Sequence, residues 1–118
     1  MDWAFCPAYL PQTVEVLQGQ AVDLVTVSAP KKEIPDRLAV QLQTPRETIL
    51  VCLGPLAFIQ EQGFKLAPQD LLEVTGSRTA VGQRPVIVAR EVKKGSRILR
   101  LRNPAGLPLW QTKPGEPH

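Results

Sequence analysis

Histidine is all but missing from this chain. Its 118 residues contain one, His118, and it is the last. Without an internal histidine the commonest general base is lost. Nucleophilic catalysis needs a nucleophile with a base beside it, and nothing of the form Gly-x-Ser-x-Gly occurs. Ser28, Ser77 and Ser96 read as strand-end or turn serines. The carboxylates Glu61, Asp70 and Glu73 stand singly, and Asp70 reads as the cap of a turn. There are two cysteines, Cys6 and Cys52, far apart in sequence. They do not assemble the three or four ligands that a zinc site needs. Cys52 lies in the apolar run Ile49 to Leu53 and reads as a buried small hydrophobe. Gly63, Gly76 and Gly82 are isolated, so no phosphate-cradling loop is present. Aromatics are scarce: two Trp, one Tyr and three Phe. No apolar run approaches the ~18 residues of a membrane-spanning helix. These absences lead to the expectation of a non-enzymatic protein with no metal and no cofactor.

What is present is ordinary globular material. The chain is 43% hydrophobic and 21% charged, which suits one folded domain with its own core. The formal charge of +3 conceals an asymmetry. Residues 1–77 carry five basic and nine acidic side chains, whereas residues 78–118 carry nine basic and two acidic ones. The basic residues are densest between Arg78 and Arg102, and such a segment can form a face toward an anionic partner. The plainer alternative is that these are solvated side chains on outer strand faces, some paired with acids from the first half.

Prolines and glycines divide the chain into short pieces. Residues 13–29 read as one long strand, or two, with a bend at Gly19. Residues 29–36 form a loop with two prolines. Leu38 to Gln43 alternates, with Leu38, Val40 and Leu42 on one face. A turn over Thr44 to Glu47 joins it to a β-branched strand, Thr48 to Leu53. Pro55 opens a two-turn helix through Gln62, which Gly63 stops. Strands follow over Leu71–Ser77, Pro85–Val92 and Arg97–Arg102, separated by turns at residues 81–84 and 93–96. On the last strand Leu99 and Leu101 point inward, leaving Arg100 and Arg102 outward. Phe58 and Phe64 belong to the core. The result is a mostly-β fold: a small barrel of five to six strands with one short helix between strands three and four.

That element order is the order of the OB-fold. Val16-Leu17-Gln18-Gly19 resembles the opening strand of small bacterial OB-fold proteins, several of them periplasmic. Phe64 through Ser77 resembles their passage from helix exit into the fourth strand, and Val88-Ala89-Arg90-Glu91-Val92 their fifth strand. Leu53-Gly54-Pro55 and Leu101 through Trp110 are similar to features of an uncharacterised bacterial subset. The resemblance covers residues 13–110. It implies a binding module with no catalytic residues to carry over.

The expected organisation is an N-terminal extension (1–12), an OB-like barrel (13–110) and a tail (111–118). Residues 1–11 lack a basic leader region and carry prolines at 7 and 11. They are therefore not a signal peptide, and the chain reads as cytoplasmic as written, or periplasmic if a leader has been removed. OB-folds bind oligonucleotides over strands two and three with stacking aromatics in a basic groove. Here those strands carry neither an aromatic nor a basic residue. The leading expectation is thus an interaction module for a protein or small ligand. The alternative is weak, sequence-tolerant nucleic-acid binding through Arg84, Lys93, Lys94, Arg97, Arg100 and Arg102, with steep salt dependence. Trp110 is read either as a cap on one end of the barrel, with Leu107 and Leu109 beside it, or as an anchor for a partner. Trp3, Phe5 and Tyr9 form an N-terminal aromatic cluster.

Overall fold

A computed structural model of the chain describes residues 11–27, 36–81, 83–103 and 109. A single 3₁₀ turn (Pro11–Thr13) leads into β1 (Val14–Val27). There follow β2 (Arg37–Gln43), β3 (Thr48–Pro55), helix α1 (Leu56–Glu61), β4 (Leu71–Val81), β5 (Arg84–Lys94) and β6 (Arg97–Arg100). The strands lie in the order β3-β2-β1-β4-β5-β6, each antiparallel to its neighbour. A parallel pairing of β3 with β5, centred on Val51 and Ile87, closes the first five strands into a barrel. β6 extends the sheet from β5. The fold is the expected mostly-β barrel of five strands with one added, and among the described residues its one α-helix lies between the third and fourth strands.

β1 is one strand shared by two parts of the barrel. Val14–Gln20 pair with β4, and Gln20–Val27 pair with β2. The changeover needs Gly19 for room. A Cβ at this position would run into the Gln43 carbonyl. A bulge between Ala21 and Asp23 completes the bend and leaves Val22 exposed.

Strand alternation fills the interior. Val40 and Leu42 on β2 face Val51 and Ile49 on β3, and all four are buried. Leu72 and Val74, Ile87 and Ala89, Val92 and Leu99, and Leu101 complete the barrel core. Ile59 of α1 and Phe64 close it from one side, with Phe58 partly buried against it. Each large side chain removed from water in this way contributes about 1.5–3 kcal/mol. α1 starts directly after Pro55, and the Leu56 amide donates to the Asp36 carbonyl at 2.9 Å. Gly63 ends it at φ 69°, the left-handed geometry that glycine adopts without steric cost.

Several boundaries differ from the sequence reading. β2 starts at Arg37, and β5 runs from Arg84 to Lys94, so Lys93 and Lys94 lie on the strand and not in the expected turn, because they pair with Ile98 and Arg97. β3 runs two residues beyond Leu53, because a register shift lets Gly54 and Pro55 pair with Leu38 and Arg37. β4 continues past Ser77 to Val81, re-phased by a bulge between Thr75 and Gly76. Ser77 is accordingly a buried mid-strand residue, bonded to the Thr13 hydroxyl at 2.8 Å. β6 stops at Arg100, because the Leu101 and Arg102 amides both donate to the Arg90 carbonyl. The loop expected over residues 29–36 lies outside the described residues except at Asp36. Trp3, Phe5, Cys6, Tyr9 and Trp110 also lie outside them.

Candidate functional site

The six cations proposed for an anionic partner do not all converge on one surface. Register places Glu73, Lys93 and Ile98 in one cross-strand row, and Thr75, Glu91 and Arg100 in the next. Lys93 Nζ lies 3.6 Å from Glu73 Oε1, and Arg100 Nε lies 3.8 Å from Glu91 Oε1. Lys94 points the other way, toward the helix exit. Its Nζ sits 3.0 Å from Asp70 Oδ2 and donates to the Lys65 carbonyl at 2.7 Å. Arg97 Nη2 donates to the Gly63 carbonyl at 2.9 Å. Leu99 and Leu101 are buried, Arg100 is exposed and Arg102 is half-buried. Three of the six therefore sit against a carboxylate, and two of those carboxylates, Glu73 and Asp70, come from the acidic residues 1–77.

The acids respond to these contacts. The hydrogen bond from Lys94, then that from the Ala67 amide, holds the Asp70 carboxyl below its ordinary pKa. Asp70 thus caps its turn and binds β5 at once. Glu73 is lowered chiefly by the Gln18 side-chain amide, which donates at 3.0 Å, and then by Lys93. The outer face of β1, β4, β5 and β6 is a ladder of opposite charges rather than a uniformly basic surface.

Arg78 was not separable from the other cations in sequence. Its Nε donates to Glu15 Oε2 at 2.7 Å, and its Nη2 to Glu47 Oε2 at 2.6 Å. One guanidinium thus ties β4 to β1 and to the β2–β3 turn. These bonds raise the Arg78 pKa further above its ordinary value, and the Arg78 hydrogen bond lowers Glu47. The missed signal was strand length: carrying the alternation past Ser77 puts Arg78 on β4.

Arg84 has a different setting. The parallel β3–β5 pairing lays the start of β5 beside β3, so Leu50 faces Val86 and Cys52 faces Val88. These residues, with Ala39 and Gln41 of β2, point away from the barrel core. Ala39, Cys52, Val86 and Val88 are nevertheless buried. The end of this outer face nearest the β4–β5 turn opens into a cleft of about 210 Å³. Leu50, Val86 and Pro85 give it an apolar floor, and Gln41, Thr48 and Arg84 supply polar groups at its margin. The Arg84 side chain is exposed and has no ion pair or hydrogen bond among the described residues. The surface over strands two and three is therefore not blank, because the fifth strand brings Arg84 to the end of it away from Arg37. Among the described residues no three His, Cys, Asp or Glu side chains are grouped to hold a metal ion, and no helix is long and apolar enough to cross a membrane.

The model of the MamS/MamX magnetosome protein family matches residues 13–99. The chain belongs to that family. No curated protein matches it. In this MamS/MamX chain the matched segment begins at the end of the 3₁₀ turn and ends within β6, so it contains all five barrel strands and α1. The Arg84 cleft, the Arg78 cluster and the Lys93, Lys94 and Arg97 contacts all lie on the part of the chain that defines the family.

Proposed function

We propose that this chain is a non-enzymatic interaction module of the magnetosome, and that it engages a protein or small ligand through the open end of the β2–β3–β5 face. The family match supplies the setting. The observation that carries the surface is Arg84. Of the six basic candidates it stands beside a cleft with an apolar floor, and its side chain carries no bond among the described residues, whereas Lys93, Lys94 and Arg100 already face acids. An apolar floor with a few polar groups at its edge is the usual composition of a ligand-contacting surface. The resemblance of residues 13–110 to small bacterial OB-fold proteins fits the same reading.

Nucleic-acid binding through the C-terminal strands draws less support. Stacking platforms are lacking on β2 and β3, and the cations of β5 and β6 are divided between two faces. A fluorescence-anisotropy titration with short single- and double-stranded oligonucleotides at low salt separates the two readings. The interaction-module reading predicts no saturable binding at micromolar protein. Binding that falls steeply with salt, and that weakens when Arg100 and Arg102 are replaced by Ala, would replace it with the nucleic-acid reading.

A further inference from the structure

A second pocket lies where the chain leaves α1 and meets the β5–β6 hairpin. It holds about 230 Å³ and is lined by Gly63, Phe64, Lys65, Lys94 and Arg97. Three cations thus border one cavity. Two of them are fixed by the backbone of the cavity's own wall: Lys94 Nζ donates to the Lys65 carbonyl, and Arg97 Nη2 to the Gly63 carbonyl. Each retains further donors, since an ammonium carries three N–H groups and a guanidinium five. The Lys65 ammonium and the remaining Arg97 donors have no partner among the described residues. Asp70 beside Lys94 offsets one charge of the three. Phe64, almost fully buried, gives the pocket an apolar back wall, against which electrostatic attraction is less screened than in open water.

We propose that this pocket binds a single phosphate-type oxyanion, free or as the monoester of a small molecule. The net charge around the pocket suits a dianion. Preset donors at fixed carbonyl anchors are the arrangement that makes oxyanion binding favourable, because little ordering is left to do. The site is distinct from the β2–β3–β5 cleft, and either can fail without the other.

The test is a calorimetric titration of the full chain with inorganic phosphate at low ionic strength, paired with backbone-amide NMR shifts. Saturable binding is expected, with the largest shifts at Gly63–Lys65 and Lys94–Arg97. Lys65→Gln removes a side chain that holds nothing else in the fold, so the unfolding midpoint stays unchanged while phosphate affinity falls about tenfold. Arg97→Gln weakens binding at least as much. Arg100→Gln, on the outer ladder, leaves it unchanged. Absence of saturable binding, shifts centred elsewhere, or an equal loss in Arg100→Gln would overturn the proposal. Repeating the titration with glycerol phosphate distinguishes the source. Tighter binding than inorganic phosphate identifies a monoester, and weaker binding identifies the free ion.

Discussion

Arg78 Nη2 and Glu47 Oε2 meet at 2.6 Å, joining β4 to the turn between β2 and β3. The same guanidinium holds Glu15 on β1 at 2.7 Å. Residues separated by 31 and 63 positions in the chain are thereby fixed to one planar group. All three side chains are roughly one-third exposed, so solvent screens part of the attraction.

Replacing Arg78 with Met keeps the aliphatic stem and removes the charge. The expected loss is about 1–2 kcal/mol, between the value of a charge-assisted hydrogen bond and that of an exposed pair. Urea unfolding of Arg78→Met, Glu47→Gln and the double variant measures it. The double variant is expected to cost clearly less than the two single costs added together, because the residues share one interaction. Additive costs would show that the contact contributes little.

The pH dependence follows from the same contacts. Glu47, Asp70 and Glu73 have folded-state pKa values below their ordinary values of 4.5, 3.8 and 4.5. Each contributes stability that is complete above its ordinary value and is lost as pH falls through the lower, folded value. The barrel is therefore expected to hold its stability from neutral pH down to about pH 5 and to lose it progressively below. Glu47→Gln starts lower at neutral pH and declines less steeply in acid. Parallel acid curves for the two proteins would contradict the role given to Glu47.

Two glycines separate crowding from backbone conformation. A Cβ at Gly76 would lie 2.5 Å from the Val88 carbonyl oxygen and 2.9 Å from Ala89 Cα. Gly95, at φ 61°, has nothing within 4 Å of a Cβ. Gly76→Ala is expected to cost about 2–3 kcal/mol, because two strands must separate. Gly95→Ala costs about 1 kcal/mol for its left-handed backbone, and Gly95→Asn less, since Asn tolerates that region. Thermal or urea unfolding of the three variants checks the order.

Much of this fold was readable along the chain, and the reasons are local. Leu38, Val40 and Leu42 alternate as a half-buried strand must. Gly19 marks the bend of β1, and Pro55 and Gly63 bracket the helix. The contents of the surface were not readable, because they depend on register between distant strands. Lys93 meets Glu73 only after the Thr75–Gly76 bulge re-phases β4 against β5. Arg84 reaches the face of β2 and β3 only because β5 runs parallel beside β3. Lys65, in an unremarkable stretch after the helix, becomes a pocket residue because the β5–β6 hairpin folds against it.

The central claim is that contact is made at the open end of the β2–β3–β5 face. Affinity capture from cells that contain magnetosomes, run with the wild type and two surface variants, tests it most directly. Thr48→Arg places bulk and charge at the mouth of the Arg84 cleft, whereas the double replacement of Lys93 and Arg100 by Ala strips the outer charge ladder. The account predicts a specific partner captured by the wild type, lost with Thr48→Arg and kept with the double variant, while all three proteins unfold at similar denaturant concentrations. Capture that survives Thr48→Arg and disappears with the double variant would contradict it.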